Sequence, residues 1–397
     1  MPALHPYHLA FPGGLHLGAR GVNLEEAGVQ LPADTLFAAL VVSWQLQGQD
    51  PGGFTAPFAQ RDPPFLLTSA FPYVGGVRFY PMPVDRRRLF SPQGWPRIQE
   101  RGKALKGIRY LSEDLLRRSL QGEFLDHLLF PQRAEDDPQD QAPGVALQGG
   151  VLWLTREEAE SLPDSLRREK KRLRPLRSLR HLAVWKESRV PRVTVDRVSS
   201  ASNIFHAGRV RFAPGCGLWF GVHWRRMDAR VDGAEIAYPD ALERCLALLQ
   251  DNGLGGERTS GYGQFRLDDG QAAVQLPDPS PGEPAWLLSR YLPRADELPR
   301  ALADPGAAYE LVTVRGWVQS LARADQRRRA LTLLTEGSLV SWPEAGVVGH
   351  LADVRPVYCN PDGEKVPGLP HPVYRYGLAL GLGLPAAQEA REEVHHA

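Results

Sequence analysis

Five glycines fall among the eleven positions from Gly253 to Gly263, and no other stretch of this chain constrains the backbone so tightly. Glycine costs least where φ must be positive or where another backbone comes close. The loop Gly253, Leu254, Gly255, Gly256, Glu257, Arg258, Thr259, Ser260, Gly261, Tyr262, Gly263 can therefore curl its amides around an anion. Upstream, Leu242, Cys245, Leu246 and Leu249 repeat on one helical stripe, which Pro239 can open and Gly253 can stop. Downstream, Tyr262 to Leu267 alternates as a short strand does. The order helix, glycine loop, strand reverses that of a dinucleotide fingerprint or a P-loop, in which the phosphate rests on the helix that follows the loop. Nucleotide cofactors are thereby disfavoured and no cofactor is expected. A glycine-rich turn that holds no ligand is the other reading.

With 397 residues, 43% apolar and 23% charged, the chain has the length for two or three cores and an ordinary globular composition. The net charge of +1 leaves no global footprint, so charge has to be read by segment. Cys216, Cys245 and Cys359 are too few and too scattered for a zinc site or a disulfide framework, and no metal is expected. The N-terminus lacks a basic run with an apolar core, and no stretch of about 18 apolar residues occurs, so a cytoplasmic protein without a membrane partner is expected.

Taken in order, Tyr7 to Phe11 reads as a strand, and Asp34 as the N-cap of a helix whose Leu36, Phe37, Leu40, Val41 and Trp44 share one face. Phe65 to Phe71 and Val77 to Tyr80 follow as strands joined across Gly75-Gly76. Strand, helix, strand, strand is the first part of a β-α-β-β-α-β, ferredoxin-like unit. An insertion from about residue 85 to 182 interrupts it, with a helix near Ser112 to Leu120 and an acidic, proline-broken stretch from Ala134 to Pro143 that reads as a mobile surface loop. Between Arg167 and Arg192 eleven Lys or Arg stand against two Glu, a balance of +9. Leucines and Trp185 interleave with them, which suits either a solvated face or a nucleic-acid backbone. A hairpin over about 190–212, a strand at Leu218 to Val222, the helix from Pro239, the glycine loop and its strand then close the unit near residue 270. A proline-rich linker at 271–284 leads to a β-rich C-terminal domain, 285–397, with a frayed tail. The fold class expected is α+β, with two ferredoxin-like (RRM-like) domains and a large insertion in the first.

The loop in this setting resembles the RAMP superfamily of CRISPR-associated RNA-binding proteins. Three further blocks narrow the resemblance: Leu15 to Gly18 with Leu31 to Phe37; Gly76 to Pro83; and Val195-Asp196-Arg197 leading to Ile204-Phe205-His206. In this order they are similar to the fourth subunit of the type III-A (Csm) effector complex, and Pro370 to Leu378 looks like that family's last segment. The resemblance implies a non-catalytic RNA-binding subunit in a cytoplasmic ribonucleoprotein of antiviral defence. Such a subunit holds the repeat-derived 5′ handle of crRNA, docks the large polymerase/cyclase-like subunit and a copy of the backbone RAMP subunit, and meets target RNA only indirectly. The alternative is a metal-independent RAMP endoribonuclease that processes CRISPR precursor RNA.

The expected RNA contacts follow from side-chain chemistry. The amides of Gly255, Gly256 and Gly261, with Gly253 shaping the loop, would approach phosphates; Arg258 would add charge-assisted bonds, and Thr259 or Ser260 would bond phosphate or a 2′-OH. Tyr262 either meets RNA or packs in the core. In the hairpin, Arg192, Arg197 and Ser199 suit the RNA backbone, and Ile204 or Phe205 suits a wedge beside an unstacked base. Arg78 and His16 complete the set. A histidine is the general acid or base of RNA-cleaving relatives, but no carboxylate lies between Leu15 and Leu24, the first being Glu25 and Glu26. His16 is therefore expected to be structural or an RNA contact, and no catalytic residue is expected.

Overall fold

Leu4 and Leu9 are buried on the strand Ala3–Ala10, around which the larger sheet is built. The computed structural model describes residues 3–18, 28–169, 172–195, 202–318, 326–360 and 362–385. Ala3–Ala10 pairs antiparallel with Cys216–Trp224 on one side and with Arg266–Asp268 and Val274–Gln275 on the other. Cys216–Trp224 pairs in turn with Phe71–Val74. Helices Ala33–Leu46 and Tyr238–Asn252 pack together, Ser43 Oγ donating to the Cys245 carbonyl at 2.9 Å. The expected helical stripe is buried through Leu242, Cys245, Leu246 and Leu249, and the helix stops at Gly253 with φ 77°.

The third strand of this β-α-β-β-α-β path is Cys216–Trp224, whereas element order had given that place to Val77–Tyr80. The two-residue turn Gly75-Gly76 explains the difference. It folds Val77–Pro81 back on the edge of Phe71–Val74 that Cys216–Trp224 leaves free. The insertion is then not a separate body. Val77–Pro81 pairs with Tyr110–Ser112, which pairs in parallel with Leu152–Thr155, and Gly144–Leu147 adds the last strand to one mixed sheet.

Two expectations are corrected by hydrogen bonding. The stretch from Ala134 to Pro143 is not a free surface loop, because Asp140 accepts from the amides of Leu176 and Arg177 at 2.7 Å each, while Asp137 accepts from Gln141 and Ala142. Arg177 returns bonds to the carbonyls of Asp137 and Pro138, and Arg180 donates to Gln132 and lies over Phe130. Arg177 of the basic run is thus spent holding the acidic stretch, and Arg180 the segment just before it. Nor is Asp34 an N-cap. Pro32 occupies that position, and Asp34 lies fully buried in the first turn, bonded to Arg290 and Arg375.

Those two arginines belong to the C-terminal part, where Pro284–Leu287 runs between Leu339–Ser341 and Gly381–Gly383. Short pairs surround this sheet, Leu311–Val314 with Leu331–Leu334 and Leu351–Asp353 with Tyr374–Tyr376 among them. Among the described residues this part has one α-helix, Leu298–Leu302, so the paired helices of a second β-α-β-β-α-β unit are not seen there. Trp286, Leu288, Tyr376 and Leu378 share a single core with the N-terminal helices. The Tyr376 ring lies 5.0 Å from Phe37, and its hydroxyl accepts from the Leu67 amide at 3.1 Å. The overall class is α+β around a large mixed sheet, consistent with a RAMP-like fold.

Candidate nucleic-acid interface

The glycine loop is shaped by its own neighbours. The Leu254 amide donates to Gly263 and the Gly263 amide to Gly14, each at 2.9 Å, which keeps Tyr262 to Gln264 out of the strand expected there; the strand is Arg266–Asp268. The Gly256 amide donates to the His16 carbonyl and the Gly261 amide to Arg258, again at 2.9 Å. These two amides were expected to face phosphates and are already engaged. The glycines are needed for contact instead. A Cβ on Gly255 would lie 2.3 Å from the His16 oxygen, one on Gly263 2.0 Å from the Leu254 oxygen, and one on Gly13 2.6 Å from the Gly261 oxygen. Docked in this way on residues 13–17, the loop turns Arg258, Thr259 and Ser260 outward on an exposed 3-10 turn.

The long hairpin pairs Trp185–Val195 with Ser202–Phe212 and joins the same segment, since Leu15 and Val210 exchange two backbone bonds of 2.8 Å. Tyr262, 5% exposed, brings loop and hairpin together: the guanidinium of Arg192 lies 5.3 Å and that of Arg209 5.9 Å from its ring centre. Of the two readings of Tyr262, its burial corresponds to packing, and from there its ring places two cations. Each of those arginines keeps a buried Nε without a partner. Toward the hairpin end Val193 faces Ile204 in register, both well exposed, and Phe205 sits half-buried opposite Arg192. Arg197 and Ser199 lie outside the described residues, as do Glu25 and Glu26.

Between loop, hairpin and C-terminal part opens a cleft of about 1020 Å³. His16, Gly255 and Gly256 line it, together with Arg109, Arg189, Arg209, Arg290, Arg315 and Arg375; among the described residues Asp34 and Glu187 are the carboxylates on its walls. Asp34 is consumed by Arg290 and Arg375, so the cleft has an excess of guanidinium groups. Arg328, packed behind, feels this excess: burial, then the Arg375 charge, lower it to about 10. Sequence reasoning missed these arginines because they come from elements scattered over the whole chain. Arg189, Arg209 and Arg375 stood inside stretches that had been singled out, but nothing in the sequence linked those stretches to one another or to Arg109, Arg290 and Arg315.

His16 is 4% exposed, and its Nδ1 lies 2.7 Å from the Gly208 carbonyl, so that nitrogen carries the proton and donates. The partner is a carbonyl, and the ring serves as a post between the glycine loop and the hairpin. Arg78 lies elsewhere. Its Nε bonds Glu113 at 2.7 Å, its guanidinium sits over Trp219, and it does not line the cleft. Arg78 is thus held in an ion pair apart from the cleft residues. Among the described residues no group of three His, Cys, Asp or Glu is placed to hold a metal ion, and no helix is long and apolar enough to cross a membrane.

Residues 280–384 match the family model described as the CRISPR Csm4 C-terminal domain. The chain is 38% identical over 383 residues to the CRISPR system Cms protein Csm4 of Mycobacterium tuberculosis, covering 93% of this chain and 94% of that protein. It is 26% identical over 250 residues to the protein of the same name from Thermococcus onnurineus, covering 60% of this chain and 72% of that one. In fold it is similar to a chain of the Csm3-Csm4 subcomplex of the type III-A CRISPR-Cas interference complex, with a TM-score of 0.57, 16% identity, and 96% and 99% of the two chains covered. A chain of the Csm1-Csm4 cassette bound to pppApA gives a TM-score of 0.52 at 17% identity, with 98% and 100% covered.

Proposed function

This chain belongs to the Csm4 family of type III-A CRISPR subunits, and from that premise we propose that it grips the repeat-derived 5′ handle of crRNA in the cleft between glycine loop, hairpin and C-terminal part. The observation that carries the reading is that, among the described residues, six arginines line one concavity against two carboxylates, one of them already neutralised. A cleft of that sign attracts a polyanion, and phosphate contacts fix its register without reading sequence. Arg258, Thr259 and Ser260 are exposed donors on the same loop as Gly255 and Gly256, Arg192 and Arg209 are held on Tyr262, and Ile204 with Val193 forms an exposed apolar pair suited to parting stacked bases.

The subunit acts as a scaffold without a reaction of its own. It docks the large polymerase/cyclase-like subunit on one side and a copy of the backbone subunit on the other, and it works in the cytoplasm. Fold likeness to chains of a Csm1-Csm4 cassette and a Csm3-Csm4 subcomplex supports those two partner classes. Residues 1–270 carry the RNA grip on the ferredoxin-like path, and the β-rich part that begins at 285 closes the cleft, with 271–284 passing between them.

Fluorescence anisotropy with a single-stranded handle RNA tests the grip. The double variant Arg209→Ala/Arg315→Ala should lose about 25-fold in affinity at 0.1 M salt, two phosphate contacts at about fivefold each. Undiminished affinity in that variant would refute the cleft as the RNA site. Incubation with repeat RNA in EDTA should leave the RNA intact; cleavage at one position, abolished by His16→Ala, would establish the ribonuclease reading instead.

A further inference from the structure

A second concavity, of about 480 Å³, lies at the base of the long hairpin, walled by Arg174, His181, Lys186 and Arg211 over a floor that includes Ala183 and Phe212. Among the described residues no carboxylate lines it. Arg174 reaches Glu169 only at 3.8 Å, and its Nε is buried without a hydrogen-bond partner. Lys186 and Arg211 stand directly opposite each other in the hairpin register, both exposed. Like charges at facing positions of an antiparallel pair repel, and among the described residues no carboxylate pairs with either of them. An external anion would.

The neighbouring pair in the register, Ser188 with Arg209, borders the main cleft. Two residues along a strand return to the same face, about 7 Å further on. Arg209, then Arg211 with Lys186, then Arg174 form a cationic track leading out of the main cleft. Phe212 is 8% exposed and stacked on Phe11, so the floor offers no open ring for a base.

We infer that this concavity is a second phosphodiester-binding site, which takes the backbone of the RNA strand as it leaves the main cleft and does so without regard to base sequence. This rests on the RNA reading of the main cleft. The experiment uses the full chain, two unrelated single-stranded RNA sequences, and two lengths of each, about 8 and about 20 nucleotides. The variant is Lys186→Ala/Arg211→Ala. The long RNAs should lose about 25-fold in affinity at 0.1 M salt, and the slope of log K against log salt should fall by about 1.4, at 0.7 per phosphate contact. Binding of the short RNAs should be unchanged, which also shows that the variant is folded, and Lys186→Arg/Arg211→Lys should retain the long-RNA affinity. Equal loss for both lengths, no loss for either, or a loss confined to one sequence would overturn the inference while leaving the main cleft standing. Failure of the unaltered chain to bind either length would overturn both. An acidic peptide that binds the unaltered chain and not the alanine variant, with RNA binding unaffected, would reassign the concavity to a protein partner.

Discussion

Two glycines of the loop, Gly255 and Gly261, have similar backbone angles and opposite surroundings, so replacing each by alanine separates packing from amide donation. Both sit in the left-handed region, at φ +87° and +79°, where an L side chain costs about 1–2 kcal/mol. At Gly261 nothing lies within 4 Å of the added Cβ, and the cost should stop there. At Gly255 the Cβ would meet the His16 oxygen at 2.3 Å and Leu17 Cδ2 at 3.0 Å. The first is backbone, itself held by the Gly256 amide, so the loop must lift off residues 13–17. That adds an overpacking cost of about 1–3 kcal/mol. Urea unfolding should therefore rank Gly255→Ala well below Gly261→Ala in stability. Handle RNA measured by anisotropy should bind Gly261→Ala within about twofold of the unaltered chain and Gly255→Ala about tenfold more weakly, because Gly255 and His16 form part of the cleft wall. If Gly261→Ala abolished RNA binding at unchanged stability while Gly255→Ala bound normally, the loop would be an amide cradle after all and the packing argument would be wrong.

Asp34→Ala would leave Arg290 and Arg375 buried beside no carboxylate at that position and should cost about 3–5 kcal/mol, read by urea unfolding; a loss below about 1 kcal/mol would show that the cluster contributes little to joining the two parts. Arg78→Ala should lower stability by about 2 kcal/mol through the loss of Glu113 while leaving handle affinity within about twofold; a tenfold affinity loss would return Arg78 to the RNA site. His8 is 3% exposed, stacked on Tyr73, and its Nε2 has no partner. Burial, then the Arg78 charge, depress it from 6.5 to about 4. Above pH 6.5 it is neutral in both folded and unfolded chains and contributes nothing to the pH dependence. As pH falls from 6.5 to 4 the unfolded chain takes up a proton that the folded chain refuses, so about 3 kcal/mol of stability is lost across that window. Urea midpoints of His8→Gln at pH 7 and pH 5 should differ less than those of the unaltered chain; an equal difference would show that His8 does not govern that slope.

Local patterns were legible where one short segment determines its own structure. Leu242 to Leu249 announced their helix and Gly253 its end, because the period and the stop signal both lie within the segment. The Gly75-Gly76 turn and the hairpin across it were equally clear, but the third place in the ferredoxin-like path belongs to Cys216–Trp224, about 140 residues away, which element order had given to Val77–Tyr80. The helix Pro51–Ala59 went unseen because two glycines and two prolines hide its propensity. Buried Phe54 and Phe58 hold it, with Asp50 accepting from the amides of Gly52 and Gly53.

Charge misled for a similar reason. Between Arg167 and Arg192 the balance of +9 looked like the strongest electrostatic feature of the chain, yet Arg177 and Arg180 are turned onto backbone carbonyls of the segment before them, and Arg168 pairs with Asp164. A dense basic run attracts whatever carboxylates and carbonyls its own neighbourhood supplies, and folding neutralises much of it. The cleft arginines face the opposite situation. Arg109, Arg209, Arg290, Arg315 and Arg375 come from separate elements, so no window of sequence shows them together, and among the described residues Asp34 and Glu187 line the cleft while Glu336 reaches Arg290 at 3.6 Å. Positive charge that remains uncompensated after folding is the quantity that attracts RNA. It depends on which strands are neighbours, and for this chain that means the long hairpin, the Ala33–Leu46 helix and the C-terminal sheet converging on a loop made thin by glycine.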